Sequence, residues 1–446
     1  MKKSWFIGYL VALYAFSLAA NSFLLLRNNL VFLAYVIPAV LLVNIFAGVH
    51  RVESKKLRLR ICYHGVESLA IFGGATLVSI AYHSILALYT GFFVQQPDWQ
   101  AFFVSIAFAA AMEMILFWNG VLSMYCTSVQ LGIKLRIIGI LCGMIPVVNL
   151  IVLCILIQKA YDEVRFETEK EALNASRAAE RVCQTKYPIL LVHGVCYRDN
   201  RYWNYWGRIP EELQRNGATI FYGNHQSAAS FEESAWEIKR RVLGIIRDTG
   251  CEKVNIIAHS KGGMDCRYAI HFLGLGEYVA SLTTVSTPHR GCFFADYLLT
   301  KIPKWFQKWV AHNYNRTLMR LGDPAPSFLA AVYDLRAENC IRMDKEMVTP
   351  QGIYCQSVGS RQKRARSGKF PMNLSFYLAK RFDGPNDGIV SERSFRWGEN
   401  YYLLGVPGRR GISHCDMIDL NRENIKGFDV REFYVWLVHD LKKRGY

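Results

Sequence analysis

Several things are scarce in this 446-residue chain, and each scarcity narrows its function. Charged residues make up only 20% of it, while apolar residues make up 52%. That balance excludes a disordered chain, which needs low hydrophobicity and high net charge to resist collapse. Acid is short relative to base, with 36 Asp and Glu against 53 Lys and Arg, a formal charge of +17. A surplus of this size favours anionic partners. No nucleic-acid recognition motif accompanies it, so an anionic lipid surface is expected rather than nucleic acid. The 12 cysteines include no zinc-ligand spacing; pairs such as Cys183–Cys196 and Cys251–Cys266 fit none. Internal repeats and low-complexity tracts are absent too, which excludes solenoid and fibrous architectures.

The apolar residues that are present gather in long runs at 5–26, 30–49, 66–90, 101–126 and 137–159. Each reaches the roughly 20 residues that cross a bilayer as a helix. Residues 1–160 therefore read as a transmembrane region of about five helices. The first run starts Met1-Lys2-Lys3 but continues to Leu26, which favours an uncleaved anchor over a signal peptide. Basic loop residues set orientation. Arg51, Lys55, Lys56, Arg58 and Arg60 lie in one loop, Lys134 and Arg136 in another, whereas the loop from Thr90 to Gln100 has no base. The N-terminus is then cytoplasmic. With five spans, a multi-pass cell-membrane protein results, its remaining residues on the extracytoplasmic side. Glu67, His83 and Glu113 fall inside the runs, with His64 just before the third, and all four are expected to join helix to helix.

Residues 161–186 are rich in Glu, Ala, Lys and Arg and lack Gly and Pro, which predicts a helical linker. From Tyr187 onward the pattern changes. Short buried strands are expected at Pro188–Val192, Ala218–Tyr222, Lys253–Ala258 and Leu282–Ser286, alternating with helical stretches at 231–249 and Met264–Leu273. The alternation predicts an α/β fold with a mostly parallel sheet and helices on both faces, over residues 187–446.

Chemistry concentrates at Ala258-His259-Ser260-Lys261-Gly262-Gly263, between a strand and a helix. A nucleophile on so sharp a turn needs small neighbours, because strand and helix backbones pass close together. Ser260 is the candidate nucleophile. It requires a base and a carboxylate to orient that base. His414, in the loop Gly411-Ile-Ser-His-Cys-Asp416, is the candidate base; His271 and His439 read as helical residues. Asp387, on the turn Asn386-Asp-Gly-Ile-Val390, and Asp383 both qualify as the acid. Backbone N–H groups of Val195, after His193-Gly194, and of Lys261 are the candidate oxyanion hole.

Five ordered blocks then carry a resemblance. Tyr187-Pro-Ile-Leu-Leu-Val-His-Gly194, Tyr205-Trp-Gly-Arg-Ile-Pro-Glu-Glu-Leu213, Lys253-Val-Asn-Ile-Ile-Ala-His-Ser260, Thr287-Pro-His-Arg-Gly291 and Asn386-Asp-Gly-Ile-Val-Ser391 resemble secreted bacterial triacylglycerol lipases of the Pseudomonas and Burkholderia type. The likeness covers most of 187–446 and none of 1–160. It implies an α/β-hydrolase fold, the triad Ser260, Asp387 and His414, the oxyanion donors Val195 and Lys261, and a lid over about 297–345. It also implies a preference for Asp387 over Asp383. The family's calcium site is matched only by Asp416, while Leu420 stands where a Gln ligand is expected, so no cofactor is expected.

In the lid region, Ile302, Trp305, Phe306, Trp309 and Val310 share a helical face flanked by Lys301, Lys304 and Lys308, a pattern suited to a lipid interface. Arg361 to Lys369 holds five bases in nine residues and reads as a solvated loop facing anionic lipid. The expected function is a membrane-anchored serine hydrolase cleaving lipid carboxylic esters. The alternatives on the same triad are a phospholipase, an acyltransferase or a thioesterase. A non-catalytic membrane interaction protein is the alternative of another class. The sequence sets no oligomeric state.

Overall fold

The computed structural model describes residues 3–145, 147–195, 204–226, 228–369 and 372–446. Residues 196–203, with Cys196, lie outside them. The chain divides into two compact units, Met1–Ala175 and Ser176–Tyr446.

The first unit is helical. Leu57–Phe93 and Trp99–Thr127 are its longest apolar helices, of 37 and 29 residues. At 1.5 Å per residue each exceeds the ~30 Å hydrocarbon thickness of a bilayer. These two, rather than five, are long and apolar enough to cross a membrane among the described residues. The first two runs form shorter apolar helices, Phe6–Ala20 and Leu30–Phe46. The fifth run is divided between the helices Gly132–Cys142 and Val148–Ser176. The sequence supplies the reason: Gly143 and Pro146 fall between them, and proline disfavours helix both at itself and in the residue before it. The second of these helices continues through Ala160 to Ser176, into the stretch expected to be a connector.

The two long helices approach closely. A Cβ on Gly65 would stand 2.7 Å from the Gly120 carbonyl oxygen. Polar groups turn inward beside this contact. Glu113 accepts hydrogen bonds from Thr76 (2.8 Å) and Ser79 (2.6 Å), His83 Nε2 lies 3.1 Å from Ser105 Oγ, and Glu67 pairs with Arg51 at 2.6 Å. His64 Nδ1 meets the Ala47 carbonyl at 2.8 Å. The ionisable residues of the apolar runs thus join helix to helix. Leu77, Ile80, Ile115, Trp118 and Leu122 point outward and are exposed.

The second unit is built on a six-stranded, wholly parallel sheet in the order β2-β1-β3-β4-β5-β6. The strands are β1 (Ile189–Val192), β2 (Ile220–Tyr222), β3 (Val254–His259), β4 (Val279–Val285), β5 (Tyr354–Ser360) and β6 (Asn400–Leu404). Side chains alternate across a strand, and here both faces are covered. Ile189, Leu191 and Ile257 pack with Trp206 and Tyr434 on one side. Leu190, Val192, Ile256 and Ala258 pack with Ala235, Ile238 and Val242 of the helix Phe231–Thr249 on the other. Each such side chain contributes roughly 1.5–3 kcal/mol on burial, so the central strands are the most strongly held. The helix Phe231–Thr249 begins with a capping box between Ser230 and Glu233 and stops at Gly250 in the left-handed region. These devices fix β1 and β3 side by side, with their C-terminal ends at one edge.

Candidate active site

β3 ends in Ser260, whose φ of +56° and ψ of −131° lie where a non-glycine residue is strained. The strain is held from both sides. The Ser260 N–H donates to the Val285 carbonyl at 2.9 Å, and the helix Lys261–Phe272 starts at the next residue. The turn tolerates no bulk. A Cβ on Gly262 would lie 2.4 Å from the His193 carbonyl oxygen, and one on Gly194 would lie 2.8 Å from Ser260 Cβ. Those two glycines let the loop after β1 press against the serine. Ala258, where a glycine is usual, is fully buried in β3 between Val192 and Thr284, and its methyl is accommodated.

His414 and Asp387 are joined directly: His414 Nδ1 lies 2.7 Å from Asp387 Oδ2. The other carboxylate oxygen of Asp387 accepts the N–H groups of Ile389 (3.1 Å) and Val390 (2.9 Å), and the His414 N–H donates to the Asp387 carbonyl at 2.8 Å. Asp387 is completely buried. Such a carboxylate has its orientation set by three hydrogen bonds, and a backbone bond ties its loop to that of His414. Asp383, the other acid in question, faces elsewhere. It pairs with Arg393 at 3.1 Å and accepts from the N–H groups of Phe293 and Phe294. The structure therefore brings Asp387, not Asp383, to His414.

Beside this pair sits a residue that sequence reasoning missed, the one before the serine. The His259 ring, adjacent to the serine, lies 4.4 Å from the His414 ring. Its Nδ1 is 2.7 Å from Tyr205 Oη, and the same hydroxyl accepts the Gly194 N–H at 3.0 Å. Tyr205 thus ties the loop before Val195 to the residue before Ser260. Burial, reinforced by the neighbouring His414, holds the His259 pKa well below the usual histidine value, so it stays neutral. The signal available in the sequence was the position of His259 beside the serine; nothing there located its tyrosine partner.

Lys261 opens the helix, and a first-turn N–H has no acceptor inside its own helix. Its side chain points away from the serine into the protein. The ammonium donates to Asp265 Oδ1 at 2.6 Å and Ser234 Oγ at 3.0 Å. Burial pushes the Asp265 carboxyl up to about 7, against the pull of Lys261. His225 Nε2 stands 3.9 Å from Asp265, and its ring stacks 3.9 Å from that of His193. His193 is fully buried, its Nε2 3.1 Å from the His225 carbonyl. Val195 packs with Leu318 and Tyr314 of the helix Lys304–Arg320, beside Ala228 and Ala331.

That helix buries Gln307, Ala311 and Leu318 and turns Trp305 (71% exposed) and Trp309 (58%) outward. Ile302 and Val310 are half-buried.

The residues do not fit calcium. Both Asp416 oxygens are held by Arg410, at 2.9 and 3.2 Å, and Arg410 also reaches Glu423 at 3.1 Å. Calcium takes six to eight oxygen ligands, and no group of three metal-binding side chains occurs among the described residues. A guanidinium sits where a cation is expected.

Comparison with known proteins agrees with this architecture. A family model described as alpha/beta hydrolase fold matches residues 187–359. A triacylglycerol lipase of Burkholderia plantarii is 36% identical over 28% of this chain and 36% of its own length. Triacylglycerol lipase 2 of Saccharomyces cerevisiae is 27% identical over 56% of this chain and 78% of its own. A triacylglycerol lipase of Vibrio cholerae is 26% identical over 54% and 87%. The chain thus spans about a third of the Burkholderia relative and most of the other two. An α/β-hydrolase fold with a parallel sheet and these relatives support a carboxylic ester hydrolase.

Proposed function

We propose that this chain hydrolyses lipid carboxylic esters through an acyl-Ser260 intermediate, with the helical N-terminal unit seated in a membrane. The observation that carries the proposal is the buried 2.7 Å contact between His414 Nδ1 and Asp387 Oδ2, with the His414 ring 4.4 Å from that of His259, the chain neighbour of a strained Ser260. With Nδ1 turned to Asp387, the Nε2 of His414 is the nitrogen left for the serine proton. His414 removes that proton as Ser260 attacks the ester carbonyl, then returns it to the departing alcohol. It next takes a proton from the water that attacks the acyl-serine, and gives it to Ser260 Oγ as the C–Oγ bond breaks and the acid leaves. Asp387 holds the imidazole in one tautomer and stabilises the imidazolium. The N–H groups of Val195 and Lys261 receive the negative charge on the tetrahedral oxygen.

Membrane seating is supported by the first unit's surface. Many of its exposed side chains are large and apolar, while Glu67, Glu113, His64 and His83 of the long helices are buried, the arrangement lipid requires. The outward tryptophans of Lys304–Arg320, with Lys301, Lys304 and Lys308 nearby, suit a lid that meets the lipid surface. Packing of Leu318 and Tyr314 on Val195 supports the same helix as cover for the oxyanion loop.

The test is hydrolysis of a lipid extract by the intact chain and by Ser260→Ala. Loss of fatty-acid release in the variant, with folding unchanged, is expected. Full release by the variant refutes the reading.

A further inference from the structure

The basic segment after β5 is not a plain solvated loop. It forms one wall of a cavity of about 630 Å³, and the helix Met372–Asp383 forms the other. Arg364, Arg366 and Lys380 line that cavity, with Asn373, Phe376 and Tyr377. The bases at either end of the segment have acidic partners: Arg361 meets Glu392 at 3.3 Å and Lys369 meets Glu423 at 3.9 Å. Lys363 is spent on structure, donating to the Val406 and Gly408 carbonyls at 2.7 and 2.8 Å. Among the described residues, Arg364, Arg366 and Lys380 are left without an acidic partner. Three like charges converging on one hollow repel one another unless an anion joins them.

The chemistry of that anion follows from the groups that face it. Guanidinium forks match the oxygens of a phosphate, and lysine adds a point charge. The cavity is far larger than one phosphate group, so it suits a phosphate that bears a substituent. Next to it the helix exposes Leu374 (62%), Tyr377 (67%) and Leu378, at positions i, i+3 and i+4, which share a face. An apolar stripe beside converging bases is the pattern of a surface that meets lipid headgroups and the chains behind them.

We propose that this cavity binds a phosphate ester, the headgroup of an anionic glycerophospholipid, through Arg364, Arg366 and Lys380. The site is separate from Ser260, and its binding does not rest on the hydrolase reading. Its position gives it consequence nonetheless. The Gln362 N–H donates to the Asn386 carbonyl at 2.9 Å, next to Asp387. The Ile412 N–H donates to the Arg361 carbonyl at 2.9 Å, and the Lys363 N–H to the Arg410 carbonyl at 3.2 Å, on the loop that leads to His414. The basic segment is therefore stitched between the two loops that bring Asp387 and His414 together, and a bound anion braces both.

The experiment is calorimetric titration of the full chain in a phosphate-free maltoside detergent. The probes are dioctanoyl phosphatidylglycerol, kept below its micellar concentration, and inorganic phosphate. Saturable binding of the lipid is expected. It should weaken about tenfold or more in R364Q/R366Q/K380Q, and in the same direction in the single, exposed-site Arg366→Gln. A control that removes equal charge elsewhere, at three exposed bases, R240Q/R247Q/K443Q, should bind as the parent does. Tighter binding of the lipid than of phosphate assigns the site to a headgroup; equal binding of both, lost together in the triple variant, assigns it to free phosphate. Failure of the parent chain to bind either probe, or equal loss in the control and the triple variant, overturns the proposal.

Discussion

The two units of this chain distribute apolar and polar groups in opposite ways. In Met1–Ala175 the exposed positions carry Leu77, Ile80, Ile115 and Trp118, while Glu113, His83 and Glu67 are buried against hydroxyls, a carbonyl or an arginine. In Ser176–Tyr446 the apolar residues of β1 and β3 fill two cores on either side of a sheet. Buried polar groups there include His193 and His259, at and just after the C-terminal ends of those strands, and the pair Asp387 and His414. The same residue types thus mean different things. A buried Glu in the first unit ties helices together. A buried Asp in the second is aimed at a histidine by two backbone N–H groups.

The comparison is sharpest where a substitution strikes one unit alone. His414→Ala should lower ester hydrolysis about 10⁴-fold or more, because nucleophile activation and leaving-group protonation go together. Thermal unfolding of the first unit should not change. Steady-state kinetics beside a melting curve decide it, and comparable kinetics in the variant break the assignment. Ile115→Arg strikes the other side. An arginine on the outward face of Trp99–Thr127 should cost about 2.5–3.5 kcal/mol of membrane insertion. Fractionation should show less of the variant in membranes, with esterase activity per folded molecule unchanged; unaltered partition contradicts a lipid-facing surface.

Tyr205→Phe removes the hydroxyl between Gly194 and His259. It should lower kcat about tenfold, the scale of one lost buried hydrogen bond, and leave KM unchanged. A rise in KM alone would mean that Tyr205 contacts substrate instead. The pH dependence of stability is a smaller and more local effect. His259 and His289 have pKa values held well below the usual 6.5, in both cases first by burial; His414 adds to it for one, Arg267 and Arg290 for the other. The unfolded chain protonates both below about pH 6.5 while the folded chain does not. The stability they contribute is present above that pH and lost as pH falls, by up to about 1.4 kcal/mol per pH unit for each. His259→Asn should flatten the decline between pH 7 and 5 in denaturant titrations; an equally steep decline in the variant contradicts it. Smallest is the effect of a chelator. With Arg410 holding Asp416, EDTA should change neither activity nor melting temperature, and a clear drop in either would restore calcium.

Much of the second unit was legible because its signals are local. Buried strands such as Ile189–Val192 read as short apolar runs, and Ser260 sits at a strand-to-helix turn among small residues. β5 was not legible, since Tyr354-Cys-Gln-Ser-Val-Gly-Ser360 has the composition of a loop and becomes a strand only by pairing with β4 and β6. Asp387 and Asp383 are four residues apart and equal in kind. Only the folded turn separates them, sending one to His414 and the other to Arg393. Tyr205 and His259 lie 54 positions apart, and no period or spacing connects them. In the first unit, apolar runs were plain but their division into helices was not. Run length measures composition, whereas the break after Cys142 depends on Gly143 and Pro146 inside an otherwise unbroken apolar stretch.

One measurement bears on the central assignment more directly than any other. The intact chain is reacted with a fluorophosphonate, digested, and the modified peptide identified by mass spectrometry. A single adduct on Ser260, abolished by His414→Ala and strongly slowed by Asp387→Asn, is the predicted result. An adduct on another residue, or labelling of Ser260 at the same rate in both variants, contradicts the account.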